Sequence, residues 1–175
     1  MPMLEETAGP PPVSSRRLEV WLPIAVVLLD QATKALVRSM VPLGSSVEVV
    51  PNFMNLTHVR NTGAAFGFLN AVDFPLKTVF IPAVALAAVV WVAVHASGLG
   101  RHQMLARVGL AFILGGAAGN LMDRVIVGSV VDFVDVYWRT YHFWAFNVAD
   151  SAITVGVAIM ILDMLGVHAH ASKTV

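Results

Sequence analysis

The sequence predicts an α-helical integral membrane protein. Four transmembrane helices are expected, with a small β-sheet-like element after the first and a short interfacial helix or loop before the last. Three observations carry this. Of 175 residues, 57% are hydrophobic and 13% charged, and the mean hydropathy is +0.75; a soluble domain holds about 25% charged residues. Four apolar runs approach the roughly 20 residues a spanning helix needs. Between the first two, the composition turns to β-branched and aromatic residues. The length suits one domain.

Residues 1–15 carry Pro2, Pro10, Pro11 and Pro12 with Gly, Ser and Glu, followed by Arg16 and Arg17. They read as a disordered tail without the basic start and cleavage site of a secretory signal. The first apolar run, from Val20 to about Val37, is therefore an uncleaved anchor. Its second half carries Asp30, Gln31 and Lys34. Asp30 and Lys34 are four apart and share a helix face. They either hold a site or form a solvated pair at a helix end, and the spacing favours neither.

From Ser45 to Thr57 two short strands are expected, with a turn at Pro51 and Asn52. The stretch His58-Val59-Arg60-Asn61-Thr62-Gly63-Ala64-Ala65-Phe66-Gly67 suits a tight loop. Such a loop lets backbone approach a ligand; taken alone, an ordinary turn is the better reading. The second run extends from Phe74 to about His95, with Pro82 inside it. The third extends from Met104 to Met122, where Gly115 and Gly119 let helices approach closely. Asn120, Asp123 and Arg124 mark its end. Val130 to Trp138 is amphipathic and leads into Tyr141 and Trp144, residue types that favour the membrane–water interface. A short helix or loop lying on the membrane is expected there. The fourth run, Val148 to Val167, carries Asp150 near its start and Asp163 near its end.

Four spans put both termini on one side. Asp30, Lys34, Asn61, Asp123, Arg124, Asp132 and Asp150 then gather at the opposite face, and Asp163 falls away from them. Arg16, Arg17, Arg101, Arg107 and Lys173 on the terminal side outnumber Arg38, Arg60, Arg124 and Arg139, which favours cytoplasmic termini.

Formal charge is zero, with 11 basic and 11 acidic residues. No basic stripe argues for nucleic acid. The chain has no Cys, which excludes disulfides, thiol nucleophiles and thiolate metal sites. Gly-x-Ser-x-Gly and His-Glu-x-x-His are both absent from it. No metal and no cofactor is expected.

Ionisable groups at membrane depth cost about 2.5–3.5 kcal/mol each on insertion scales unless paired or wetted. A cluster of Asp at one face supports three readings. Two Asp sharing a proton can activate water and protonate a scissile bond. A proton or cation path would need polar groups through the membrane, and runs two and three are nearly bare of them. A lipid-binding or assembly protein would use the charges only in pairs. Spacing does not name the dyad: Asp132 and Asp150 lie on different elements, Asp123 sits beside Arg124 and is expected to pair with it, and Asp135, three residues from Asp132, reads as a solvated neighbour.

Five motifs lie in order along residues 30–151: Asp30-Gln31-x-x-Lys34; Arg60-Asn61-Thr62-Gly63-Ala64-Ala65-Phe66; Gly115-Gly116-Ala117-x-Gly119-Asn120-x-x-Asp123-Arg124; Val130-Val131-Asp132-Phe133; and Phe146-Asn147-x-Ala149-Asp150-Ser151. Through them the chain resembles the bacterial lipoprotein signal peptidase family, also called signal peptidase II.

The resemblance implies an aspartic endopeptidase of the bacterial cytoplasmic (inner) membrane. It would remove signal peptides from prolipoproteins by cutting before the diacylglyceryl-modified Cys. Asp132 and Asp150 match the family's catalytic dyad. Asn61, Gly63, Asn120, Arg124, Asn147 and Ala149 match positions lining the substrate site, with Asp123, Asp30 and Lys34 in support.

It further implies one membrane domain over residues 1–175, with a cytoplasmic tail at 1–17 and spans at about 19–38, 74–96, 104–123 and 147–167. A periplasmic cradle would occupy about 42–70, a periplasmic loop about 124–146, and a second cytoplasmic tail 168–175. The expected partners are diacylglyceryl-modified prolipoproteins, membrane phospholipids and globomycin-type inhibitors, with the protein a monomer.

Overall fold

The computed structural model describes residues 14–63, 76–100 and 103–166. The expectations for 1–13, 64–75, 101–102 and 167–175 lie outside the described residues. They include most of the first tail, the end of the cradle, the start of the second span and the last tail.

Four helices carry the fold among the described residues: α1 Ser14–Met40, α2 Lys77–Ser97, α3 Met104–Ile126 and α4 Val148–Met164. Three segments are long and apolar enough to cross a membrane: Glu19–Met40, Lys77–Ser97 and Met104–Ile126. Helix α1 begins at Ser14, so the helix reaches back into the expected tail. Helix α3 continues to Ile126, with Asp123 and Arg124 at its C-terminal end, Arg124 in the last turn, as expected.

Helix α3 is the hub, packed on α1, α2 and α4. Its glycines make this possible. A Cβ built on Gly116 would come within 2.3 Å of the Ala149 carbonyl oxygen, and one on Gly109 within 2.9 Å of that of Gly156. Backbone touches backbone along the α3–α4 seam, the packing that small residues allow in lipid.

The strands are β1 Ser46–Val50, β2 Met54–Asn61, β3 Val130–Trp138 and β4 Tyr141–His142, in the order β1-β2-β3-β4. All neighbours are antiparallel. The β1–β2 turn falls at Pro51 and Asn52, as expected, with Asn52 at φ 58°. Strand β2 runs on through His58 to Asn61, so that segment is strand where a loop or turn was expected.

A larger correction concerns 130–138. The expected interfacial helix or loop is strand β3, with Val59 opposite Asp132 and Asn61 opposite Val130. The run Val130-Val131-Asp132-Phe133-Val134 is rich in the β-branched and aromatic residues that suit a strand, and the edge of β2 gives it a partner. A small core of Val37, Val41, Val131 and Phe133 ties the sheet to α1, with Leu56, Val134 and Val148 packed on it. His58 Nδ1 also lies 2.8 Å from the Val41 carbonyl oxygen. The sheet is thereby seated on the end of α1.

Candidate active site

Asp132 sits on β3 and is 4% exposed. The Asn61 amide at the end of β2 donates to its Oδ2 at 3.1 Å, and the Asn147 amide donates to its Oδ1 at 2.7 Å. Burial, and then the charge of Asp150, push the Asp132 carboxyl up to about 6. Both causes favour the neutral form.

Asp150 lies in the first turn of α4. Its Oδ1 accepts from Asn120 Nδ2 at 2.8 Å, and its Oδ2 accepts from the Asn147 backbone N–H at 3.3 Å. Asn147 returns the bond, its Oδ1 accepting the Asp150 N–H at 3.0 Å. This is a reciprocal cap at the helix start. Asn147 therefore touches both carboxylates, one through its side-chain amide and the other through its backbone.

The orientation of these amides is set from behind. Lys34 is fully buried. It donates to Asn120 Oδ1 at 2.9 Å and to Asp30 Oδ2 at 2.8 Å, and lies 3.0 Å from Asp123 Oδ2. An ammonium only donates, so the Asn120 oxygen must face Lys34 and its NH2 must face Asp150. Asn147 Nδ2 also reaches Asn120 Oδ1, at 3.2 Å. The second oxygen of Asp30 accepts the Ala149 backbone N–H at 3.0 Å, tying α1 to the start of α4.

The solvated-pair reading of Asp30 and Lys34 is thereby removed, since both are 0% exposed. Asp123 is paired too, but with Lys34 and Arg38 rather than its neighbour Arg124. Arg124 turns the other way. It donates to the Gly63 carbonyl at 2.9 Å and to that of Asn120 at 3.2 Å. Gly63 N–H in turn donates to Asn61 Oδ1 at 2.9 Å. The Arg124 Nε is buried without a partner among the described residues.

A cavity of about 550 Å³ opens on this cluster. Asp132, Asp150, Asn61, Asn120 and Arg124 form its polar end. Ile81, Val84, Ala85 and Ala88 of α2 and Ile153 of α4 form an apolar wall, and Phe143, Trp144 and Phe146 close another side. Polar groups converging at the end of an apolar cleft are what a binding site looks like.

Asp135 does not join them. Three residues from Asp132 along a strand, it stands on the opposite face and accepts from Asn55 Nδ2 at 3.0 Å, with His142 Nδ1 at 2.9 Å. Two residues of the cluster had no role in the sequence reading. The Gln31 amide bridges Asp30 Oδ2, the Gly119 carbonyl and Asp123 Oδ1. Arg38 binds Asp123 Oδ1 at 2.8 Å. The series 30, 34, 38 at steps of four was the available signal for Arg38.

A family model described as signal peptidase (SPase) II matches residues 22–166. The lipoprotein signal peptidase of Geobacter metallireducens is 48% identical over 147 residues, covering 84% of this chain and 90% of that relative. The lipoprotein signal peptidase of Pseudomonas putida is 42% identical over 149 residues, covering 83% and 85%. A bacterial membrane enzyme structure determined in meso at 1.9 Å resolution superposes with a TM-score of 0.77 at 29% identity, over 90% of this chain and 95% of that one. A second, at 2.3 Å resolution, gives 0.71 at 31% identity, over 91% and 94%.

Proposed function

The chain belongs to the signal peptidase II family and is a membrane aspartic peptidase of prolipoproteins, and we propose that Asp132 and Asp150 are its catalytic pair. The observation that carries the assignment is the position of both carboxylates on one cavity, joined through Asn147. Two carboxylates that share Asn147, one raised by the charge of the other, do not both ionise readily, so the pair holds one proton. The ionised member takes a proton from water as that water attacks the scissile carbonyl. The neutral member protonates the carbonyl oxygen. The member that took the water proton then passes it to the leaving amine, as the other takes a proton back from the collapsing tetrahedral diol, so the pair again holds one proton. Burial and the Asp150 charge raise the Asp132 carboxyl to about 6, which helps the pair keep its shared proton.

The surrounding residues position the chain to be cut. Arg124 braces the Asn61–Gly63 segment against α3, and its Nε, without a partner among the described residues, is a donor for a substrate carbonyl. Asn120 and Asn147 fix the two carboxylates, and Ala149 presents its backbone to Asp30. The cut falls before the diacylglyceryl-modified Cys, with the apolar wall of α2 and α4 facing the lipid-embedded part of the substrate.

Helix α4 serves as a fourth span, both termini lie in the cytoplasm, and the pair sits at the outer face of the bacterial inner membrane. The sheet is a periplasmic cradle there. A lipid-modified Cys stays in the bilayer, so the carboxylates must be brought to its surface. The protein works as a monomer among membrane phospholipids, and globomycin-type inhibitors occupy the cavity.

The test is cleavage of a diacylglyceryl-modified prolipoprotein by purified protein in detergent, with Asp132→Asn and Asp150→Asn alongside. Cleavage by the parent protein alone, blocked by globomycin, supports the assignment. Near-normal cleavage by either variant removes that residue from the pair.

A further inference from the structure

Four charges run in a line behind the pair: Arg38, Asp123, Lys34 and Asp30. Their links measure 2.8 Å, 3.0 Å and 2.8 Å. Asp30 and Lys34 are wholly buried, Asp123 is 1% exposed, and Arg38 alone among the four reaches the protein surface, its side chain 32% exposed. The set is neutral as it stands. Without Arg38, one buried ammonium would face two buried carboxylates.

Lys34 is also the cation that fixes the Asn120 amide, and Asn120 is the donor to Asp150. Its ammonium is shared among Asp30, Asp123 and Asn120. The extent to which it serves Asn120 depends on how well Asp123 is satisfied elsewhere. Asp123 Oδ2 otherwise has only a long contact from the Val131 N–H at 3.5 Å, and Oδ1 a long one from Gln31 at 3.4 Å. Arg38 is therefore the group that satisfies Asp123 and leaves Lys34 free to orient Asn120.

We propose that Arg38 is a positioning residue for the reaction. By neutralising Asp123 from the protein surface, it keeps Lys34 on Asn120 and the Asn120 amide on Asp150. This rests on the reading of Asp132 and Asp150 as the pair. Among the described residues, Lys34 of α1 and Arg124 of α3 are the cations that act on the pair, with Asp30, Asp123 and, through Asp123, Arg38 linked behind Lys34. Loss of one cation from this set makes protonation of the pair easier, so the pH window of activity moves upward.

The experiment compares the parent protein with Arg38→Gln and Arg38→Lys in detergent, measuring kcat and KM for a diacylglyceryl-modified prolipoprotein from pH 5 to 9 in steps of about half a unit. Arg38→Gln is expected to lower kcat about tenfold, the scale for residues that orient a reacting group from behind. KM should stay within about twofold, and the window should move up by roughly half a pH unit. Arg38→Lys, which keeps the charge, should hold the window in place and recover most of kcat. Should Arg38→Gln not fold, Arg38→Ala with added guanidinium takes its place, and rescue of kcat by the cation is the expected result.

Unchanged kcat in Arg38→Gln overturns the proposal. So does an equal loss in both variants with the window unmoved, or a failure of guanidinium to rescue. A parent protein that does not cleave, or an Asp132→Asn variant that does, strikes at the assignment of the pair instead.

Discussion

Asn147 and Asp150 cap one another at the start of α4, each side chain accepting the other's backbone N–H, at 3.0 Å and 3.3 Å. Asn147 keeps its Nδ2 for Asp132 Oδ1, at 2.7 Å. One residue thus starts a helix, orients Asp150 and donates to Asp132.

Asn147→Ala should lose both functions. Removing such a cap costs about 1 kcal/mol of stability. A hydrogen bond to a charged group contributes about 1.5–3 kcal/mol, so the loss of kcat should be roughly 10- to 100-fold. Thermal unfolding and single-turnover cleavage measured on one preparation separate the two. A drop in stability without a drop in rate would return Asn147 to a purely structural role.

Asp132 carries a pH dependence whose direction is set by burial. Its carboxyl is raised from 3.8 to about 6. The stability associated with its neutral form is fully present below about pH 4 and is lost as pH rises through about 6, on the order of 2 kcal/mol. Asp132→Asn removes that titration, so its melting temperature should fall less between pH 4 and pH 7 than that of the parent protein. In the parent, kcat/KM should decline above about pH 6 as the pair loses its shared proton. Parallel melting curves for the two proteins over this range would refute the prediction.

Helix α3 should tolerate no side chain at Gly116 and Gly119, where it meets α4 and α1 most closely. A Cβ at Gly116 would fall 2.3 Å from the Ala149 carbonyl oxygen, a backbone atom beside Asp150. One at Gly119 would fall 2.7 Å from Asp30 Oδ2. Gly116→Ala should force the helices apart, with a stability loss of about 1–3 kcal/mol and a loss of activity that persists at temperatures where the protein remains folded. Gly98→Ala is the control, since its nearest neighbour would be 3.6 Å away; it should stay within about 0.5 kcal/mol.

Much of this fold was legible because lipid imposes strong rules on sequence. Apolar runs marked the helices, and the small residues around Gly115–Gly119 marked the close seam. The turn at Pro51 and Asn52 and the two strands beside it followed from local chemistry. Strand β3 was not legible, because a nine-residue amphipathic segment with interfacial aromatics satisfies a surface helix as well as a strand. Its choice is made by β2, a partner about 70 residues away in sequence.

The site divides in the same way. Asp30 and Lys34 were visible as a pair but not as a buried one, since nothing local shows that Asn120 and Asp123 of α3 come to meet them. Asp123 was assigned to its sequence neighbour Arg124, whereas helical geometry points adjacent residues about 100° apart and sends them to different partners. Arg38 and Gln31 acquire roles only through contacts with α3.

The buried charges make a last prediction. Lys34→Met should be among the most damaging single changes in the protein. It would leave Asp30 and Asp123, 0% and 1% exposed, with one cation fewer and turn the Asn120 amide loose. Removing one partner of a buried ion pair costs about 3–5 kcal/mol. The double variant Lys34→Met with Asp30→Asn removes a charge of each sign. It should recover part of the lost stability while remaining inactive, because Asn120 still lacks the cation that orients it toward Asp150. Melting temperatures of the parent, both single variants and the double variant complete a thermodynamic cycle. Additive losses would mean that Asp30 and Lys34 are not coupled as their 2.8 Å contact requires.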